Sequence, residues 1–280
     1  MASFVIHNIA GEKLLNLLEE NYGIKLTQEQ NDLFLMSNLI VDSSRVKFNG
    51  QLGDNLEEAK RIYRRKIQDE KVATHFRNND DANLCIQVPN LEKFENKYSN
   101  LLNNELTAIG YLFHLYTDKV FFEDLFTKTF VTLDENNKPT IYDDKTKMIL
   151  IKKNNSLCTV NDFWNGDNDK SIYNDYTLMN KILLDYYGSS FDKDRLLSNK
   201  HLFVNPGITE VDFSNIVSVI DKTELFIRDS YSVKNNNLNI FSEEDVISFI
   251  NEVAFGFIER YLGYFMQFKN DSVYQKKMCK

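Results

Sequence analysis

The chain has 280 residues, a formal net charge of −8 and an apolar fraction of 42%, which is the composition of an ordinary globular protein with a substantial core. The acidic balance argues against a dedicated binder of long nucleic acids, which usually carries a basic surface; it does not exclude a nuclease, whose metal ions can supply positive charge. No apolar run approaches the length of a membrane span, and the first residues lack the pattern of a secretory signal. The cysteines, Cys85, Cys158 and Cys279, form no Cys-x-x-Cys pair. They suit reduced thiols, so we expect a cytoplasmic protein.

Turn-forming residues are scarce, since the chain has only 3 prolines and 10 glycines, and this favours long helices. Apolar periodicity predicts helices, in chain order, over residues 11–22, 27–39, 56–70, 90–98, 104–126, 171–187, 213–230 and 242–268. Thr27 and Gln30 have the spacing of a capping box that opens the second of these helices. The helix over residues 104–126 is apolar almost all round and should be buried at the centre of the fold.

The sequence pattern changes from helix-like to strand-like between residues 130 and 160. Two β-like segments, 129–133 and 147–151, flank the turn-forming stretch 134–139, which predicts a β-hairpin or an extended excursion. We find no internal repeat and no low-complexity linker. The expected fold class is therefore all-α, mainly helical, with a small β-hairpin insertion near 130–160, in a single domain over residues 1–280.

His114 and Asp118 stand four residues apart inside the apolar run 109–122. On an α-helix this spacing puts both side chains on one face, close enough to hold one metal ion. The alternative is a satisfied core histidine beside a surface aspartate. Because aspartate is rarely buried without a partner, the pattern favours the metal site.

Three further residues, His7, Asp42 and His75, have suitable side chains, although each has a simpler explanation alone. His7 could lie on the surface near a terminus, Asp42 could cap a helix, and His75 could open a solvated loop. Taken together with His114 and Asp118, they form a set of imidazoles and carboxylates typical of zinc and similar divalent ions. A mixed set of this kind that stays open to solvent is typical of a catalytic site. His201 has no partner pattern and is expected on the surface.

These residues also occur in an order that resembles a known family. The motifs are Ile-His7-x-x-x-Gly11, Ser-Asn-Leu-Ile-Val-Asp42-Ser, Thr-His75-Phe, Lys-Tyr98 and Gly110-Tyr-Leu-x-His114-Leu-x-x-Asp118. Together they resemble the zinc-dependent phospholipase C family of bacteria, whose superfamily also contains single-strand nucleases. The resemblance covers residues 5 to about 125. A later segment, 172–180, is similar to a Tyr-x-Asp-Tyr-x-x-x-Asn pattern of cytoplasmic-type members.

The resemblance implies an all-helical fold in which a metal cluster between helices activates water against a phosphodiester. By position, it implies a set of metal ligands composed of His7, Asp42, His75, His114 and Asp118. Asp118 would bridge to a second ion, and Asp42 would be the catalytic residue that orients or deprotonates the attacking water. One zinc ion is expected, with a second ion as an open alternative.

The chain departs from the family pattern at three places. Secreted members begin with a tryptophan whose amino group binds metal, whereas this sequence begins Met-Ala-Ser. Asp124 stands where the family has a further histidine, and a later His-x-x-x-Glu pair is absent. Asp175 or Asn180 could occupy similar space.

Two functions therefore remain open. The first is a metal-dependent hydrolase of phosphate esters, acting on phospholipid head groups or nucleotides without stable membrane insertion. The second is a non-catalytic metal-binding or regulatory module that keeps the fold. A short basic run, residues 61–66, is expected to be a solvated helix face, with a phosphate-contacting edge as the alternative. No pattern in the chain indicates an oligomeric state.

Overall fold

The computed structural model describes residues 2–45, 70–165, 170–234 and 237–269. Over these ranges the protein is mainly helical and carries a small antiparallel sheet of three strands, which confirms the predicted fold class. The basic run and nearly all of the predicted helix over residues 56–70 lie outside the described residues. No helix in the described ranges has the length and apolar character needed to cross a membrane.

The principal helices are close to those predicted, with differences at their ends. They are α1 (Phe4–Tyr22), α2 (Gln28–Ile40), α3 (Leu91–Leu102), α4 (Leu106–Val120), α5 (Val160–Asn165), α6 (Ile172–Tyr187), α7 (Lys193–Asn199), α8 (Ile216–Tyr231) and α9 (Glu243–Met266). Helix α1 begins seven residues earlier than predicted, because the Ser3 side chain caps it by accepting the backbone N–H of Ile6. The short helices α5 and α7 have too few residues for a periodic signal.

Local capping sets the start of α2. The Thr27 side chain accepts the backbone N–H of Gln30, and the Gln30 side chain accepts the backbone N–H of Thr27. This reciprocal pair is the predicted capping box, which satisfies two N–H groups left without helical partners. Helix α2 is thereby fixed at its first turn and runs to Ile40, two residues before Asp42.

Two glycines allow the helices around the core to approach each other closely. A Cβ atom at Gly110 of α4 would lie 2.6 Å from the backbone oxygen of Phe34 and 2.9 Å from Cβ of Ser37. A Cβ atom at Gly11 of α1 would lie 2.8 Å from Leu35 Cδ2. Each glycine stands one helical turn from a histidine of the predicted site, so α1 and α4 meet α2 where the ligands are needed.

Helix α4 is the central helix that the apolar run predicted. Its residues from Leu106 to Leu115 are buried. Past Val120 it continues as a π-helical turn, Phe121–Phe126, and then as a short α-helical turn that ends at Thr129. The prediction over residues 104–126 is right in position but did not include the change of helix type.

The insertion contains one strand more than a hairpin. The strands are β1 (Phe130–Leu133), β2 (Met148–Ile151) and β3 (Ser156–Thr159), in the order β1-β2-β3 with antiparallel neighbours. Phe130 pairs with Ile151, and Ile149 pairs with Cys158. These four side chains are buried, so one face of the sheet joins the core.

Candidate metal centre

The five side chains predicted as metal ligands lie together in the interior, and each has 0% of its surface exposed. They come from separate parts of the chain: His7 from α1, Asp42 from the segment after α2, His75 from the end of a helical turn at residues 70–74, and His114 and Asp118 from α4. Asp42 and His75 both face α4, which no local pattern could ensure. The predicted convergence is therefore present.

The spacing of the polar atoms matches what one ion would need. With ligand bonds of about 2.0–2.2 Å in tetrahedral geometry, neighbouring ligand atoms lie about 3.4 Å apart. His75 Nε2 lies 3.4 Å from Asp118 Oδ2, 3.6 Å from Asp42 Oδ1 and 3.3 Å from His114 Nε2. His114 Nε2 is 4.0 Å from Asp118 Oδ2. The donors are thus already near the separations that they would have around a shared ion.

His114 is held by the end of α2. Its Nδ1 lies 2.6 Å from the backbone oxygen of Asn38. Because a carbonyl can only accept, Nδ1 carries the proton and Nε2 presents its lone pair to the cluster. The Asn38 side chain donates to the backbone oxygen of His7. Asn38 thus links both histidines to α2.

His75 is held in a similar way by its own neighbour. Its Nδ1 lies 2.8 Å from Thr74 Oγ1, which leaves Nε2 facing the two aspartates and His114. The Thr74 backbone oxygen accepts a hydrogen bond of 2.6 Å from the Tyr111 hydroxyl. Since Tyr111 belongs to α4, this contact ties the His75 segment to the helix that carries His114 and Asp118.

Asp118 presents its two oxygens to different partners. Oδ1 accepts the backbone N–H of Ala2 at 2.9 Å and lies 3.4 Å from His7 Nε2. Oδ2 faces His75 and His114 and makes no hydrogen bond among the described residues. The carboxylate therefore lies between two groups of imidazoles.

His7 stacks on His114 with ring centroids 3.8 Å apart and an angle of 12° between the planes. Neither ring nitrogen of His7 makes a hydrogen bond within the described part of the chain. Buried polar atoms are nearly always satisfied. An imidazole that lacks a hydrogen bond beside two carboxylates is what a ligand position requires.

Burial dominates the electrostatics of the cluster. It lowers the pKa of His75 to about 4, against an opposing effect of Asp118. Burial and the neighbouring His7 lower the pKa of His114 well below its ordinary value. Burial alone would raise the pKa of Asp118, but the His7 and His75 imidazoles, each 3.4 Å away, outweigh it and hold that pKa well below the usual range. At neutral pH the site therefore holds neutral His75 and His114 beside an ionised Asp118, the protonation states that metal binding requires.

Two overlapping sets of side chains have the geometry to hold a metal ion. One contains His7, Asp42 and His114, and the other contains His75, His114 and Asp118. His114 belongs to both, yet only its Nε2 is available. Asp118 belongs to the second set, and its other oxygen lies 3.4 Å from His7 Nε2 of the first set.

A cleft of about 160 Å³ lies beside the cluster. Ser43 and Ser44, which follow Asp42 in the chain, contribute to its wall, and so does Thr74, which touches His75. The site is therefore more enclosed than the solvent-open arrangement expected from the sequence: its ligand candidates are fully buried, and the accessible space begins one residue away.

Asp124, Asp175 and His201 lie outside the cluster. Asp124 is exposed on the π-helical turn, and His201 is exposed as expected. Asp175 is buried, but its oxygens accept the backbone N–H groups of residues 239–241 at 2.7–3.0 Å. Asp175 therefore fixes a loop, and it belongs to neither set of metal-ligand candidates among the described residues.

Asn180 lies nearer to the cluster. Its side-chain oxygen accepts a hydrogen bond from the Ser3 hydroxyl, and Ser3 is the neighbour of Ala2, whose N–H binds Asp118. Asn180, on α6, thus supports the start of α1. It contacts Ser3, the residue after Ala2, and Ala2 is the residue that contacts Asp118.

Three supporting residues, Asn38, Thr74 and Tyr111, were not identified from the sequence. Asn38 and Thr74 each stand directly beside or within one turn of a predicted ligand, so chain proximity was a usable signal. Tyr111 acts through a hydroxyl on a backbone oxygen, and no sequence pattern indicates that.

Comparisons of the chain with protein-family models, with curated proteins and with solved structures gave no match. The family resemblance therefore stays a prediction, and the functional argument rests on the geometry of the cluster.

Proposed function

We propose that this protein is a metal-dependent hydrolase of phosphate esters, and that zinc is its metal. The observation that carries the proposal is the convergence of three imidazoles and two carboxylates in a fully buried position, where five pairs of their polar atoms lie 3.3–4.0 Å apart. Burying two carboxylates is costly unless they are paired or bind a metal ion. The choice of zinc follows from the mixed nitrogen and oxygen donors.

The donor set fits such an ion on the chemistry of its atoms. His75 and His114 have Nε2 directed inward because Nδ1 of each is engaged elsewhere. His7 has ring nitrogens without hydrogen bonds among the described residues. The residues that would hold the metal are His7, Asp42, His75, His114 and Asp118.

A divalent ion bound here would lower the pKa of a water molecule and would stabilise negative charge on the phosphoryl oxygens. The chain contributes the rest. Asp42, 3.6 Å from His75, is the carboxylate nearest in sequence to the cleft wall, so it is the candidate to orient a water molecule and take its proton. Asn38 and Thr74 hold the imidazole rings so that little reorganisation is needed.

The substrate class is inferred from two sources. The motifs resemble a family that acts on phosphodiesters, and a cleft lies beside Asp42 and His75. Its wall contains the polar residues Ser43, Ser44 and Thr74 and the acidic residues Glu70, Glu210 and Asp212. Phospholipid head groups and nucleotides are both phosphate esters of this kind. We propose that the ester enters by this cleft.

The test combines metal analysis with turnover. Wild type, His114→Ala and Asp118→Asn are purified, stripped with chelator and reloaded with zinc, then assayed on synthetic phosphodiesters, phosphomonoesters and a phospholipid. Wild type should bind at least one ion and gain activity on reloading, and both variants should lose both properties. His201→Ala is the matched control, since this exposed histidine lies outside the cluster and, among the described residues, hydrogen-bonds to the Ser198 backbone oxygen. Turnover that survives complete metal removal would refute the proposal.

A second candidate is a non-catalytic module with a structural metal. The complete burial of all five side chains favours it, because structural sites are closed whereas catalytic sites keep an open position. In the same experiment, it predicts one firmly bound ion, a large loss of stability on chelation, and no turnover on any ester.

A further inference from the structure

Phe76 has an unusual backbone conformation directly after His75. Its φ angle is +53°, in the left-handed region that side chains other than glycine seldom adopt. The helical turn over residues 70–74 ends there in a Schellman motif. The N–H of Phe76 donates to Ala73 O at 3.1 Å, and the N–H of Arg77 donates to Val72 O at 3.0 Å. Helices usually place glycine at this position.

The Phe76 ring accounts for the conformation. It is 8% exposed and meets three aromatic rings edge-on: Phe94 at 5.2 Å, Tyr98 at 6.1 Å and Tyr111 at 6.3 Å between centroids. Edge-to-face contacts of this kind are the preferred aromatic geometry. A strained backbone persists only where its surroundings determine it, and this aromatic cluster supplies that constraint.

The same aromatic cluster is connected to the candidate metal centre. Tyr111 stacks on Phe94 at 5.0 Å and donates its hydroxyl to the backbone oxygen of Thr74. The Thr74 hydroxyl contacts Nδ1 of His75. The residues on both sides of His75 are thus anchored to one cluster, Thr74 by a hydrogen bond and Phe76 by its ring.

We propose that Phe76 is a positioning residue for His75. Its ring, locked among Phe94, Tyr98 and Tyr111, stops the helix at His75 and aims Nε2 at Asp118 and His114. This inference rests on the proposed metal site. If Phe76 only filled space in the core, its replacement would change stability alone; as a positioning residue, it also affects metal affinity.

The experiment distinguishes the effect of the Phe76 ring from the effect of the Phe76 backbone conformation. Phe76→Gly removes the ring but accepts a positive φ angle, whereas Phe76→Ala removes the ring and disfavours that angle. Asn137→Ala and Asn155→Ala are matched controls, because both asparagines also have positive φ angles but lie in the β insertion. Cobalt is titrated into each folded protein, and its visible spectrum reports ligand geometry.

Phe76→Ala should weaken cobalt binding about 10- to 100-fold, the range seen when groups that orient ligands are lost, and should alter the spectrum. Phe76→Gly should lie between Phe76→Ala and wild type, and the asparagine controls should match wild type. A folded Phe76→Ala with wild-type affinity and spectrum would overturn the inference, as would an equal loss in the controls. If Phe76→Ala does not fold, Phe76→Gly decides: wild-type affinity and spectrum there overturn the inference.

A second readout does not depend on metal. In metal-free protein, nitrogen NMR of His75 should show one predominant tautomer, because the ring is held in a single orientation, and the Phe76 variants should show a mixture. Should wild type bind no cobalt, the proposed function fails, and this NMR comparison still decides the role of Phe76. Identical His75 signals in wild type and Phe76→Gly would then overturn it.

Discussion

The rings of His7 and His114 stack face to face, with centroids 3.8 Å apart. Two imidazolium ions in this arrangement would repel each other strongly in a buried environment. The contact therefore stabilises the neutral form of His114, whose pKa is already lowered by burial. Stacking thus contributes to a cluster that is ready to accept a cation at neutral pH.

Acid should destabilise the metal-free protein well before most carboxylates titrate. The pKa of His75 falls from its ordinary 6.5 to about 4 on folding. Between these values the unfolded chain binds a proton that the folded chain does not, so stability decreases as pH falls from 6.5 to 4, by up to about 3 kcal/mol for this group. His114 acts in the same direction, and the lowered pKa of Asp118 adds a further loss below 3.8.

Urea unfolding in the presence of chelator, at several pH values between 7 and 4.5, measures this dependence. His75→Gln should reduce the slope of stability against pH. An unchanged slope in His75→Gln would show that His75 is not the group responsible.

Replacing Thr74 by valine should weaken metal binding at least about tenfold, because the group that fixes the His75 ring is lost. The unpaired buried ring nitrogen should also cost about 1–3 kcal/mol of stability. Metal titration and urea unfolding measure the two effects. The control is Thr127→Val, where an exposed hydroxyl, within the described part of the chain, donates to backbone oxygens of its own helical turn. Equal metal affinity in wild type and Thr74→Val would contradict the role given to the Thr74 hydroxyl.

Gly110→Ala should be one of the more harmful small substitutions in the chain. Its Cβ would lie 2.6 Å from the Phe34 backbone oxygen, so α2 and α4 must separate, at a cost of roughly 1–3 kcal/mol or more. Because these helices hold Asn38 and His114, metal affinity should also fall. Gly263→Ala is the control, since among the described residues no heavy atom beyond its chain neighbours and its own helix backbone lies within 4 Å of the added Cβ. This substitution should be neutral or stabilising by up to about 1 kcal/mol. Similar unfolding midpoints for the two variants would be incompatible with the close packing.

Asp175→Asn should lower stability without changing metal content, because the Asp175 carboxylate has a structural role outside the metal site. The Asp175 oxygens accept three backbone N–H groups, and replacing one oxygen by an amide N–H₂ should cost about 1–3 kcal/mol. Metal content should not change. Asp185→Asn, on the same helix but in an exposed pair with Lys181, should cost less than about 1 kcal/mol. A loss of bound metal in Asp175→Asn would return this residue to the list of ligands.

Much of the fold was predictable because its signals are local. Thr27 and Gln30 specify the start of α2 by side-chain chemistry alone, and the apolar run around His114 identified the central helix. The third strand and the short helices were not predicted, since segments of four to seven residues carry too little periodicity.

The residues of the candidate site also fall into those that local signals identify and those that only tertiary packing brings together. His114 and Asp118 are neighbours by helix geometry, so their spacing was informative on its own. Asp42 and His75 reach them only through tertiary packing. Their side-chain chemistry made them candidates, and the resemblance implied that they are ligands of the same ion. The left-handed backbone of Phe76 is set by rings that arrive from two other helices, α3 and α4, which no local rule can anticipate.

The π-helical turn Phe121–Phe126 changes the direction in which side chains point around the helix axis, between the candidate metal centre and the sheet. Each residue of an α-helix advances by about 100°, and a π turn takes up one residue more than an α turn. A single continuous helix can therefore point Asp118 inward toward the histidines and still direct Phe126 toward Trp164. The number of residues between Asp118 and Phe126 is thus constrained independently of their identity, because one deletion would rotate one end of the helix against the other.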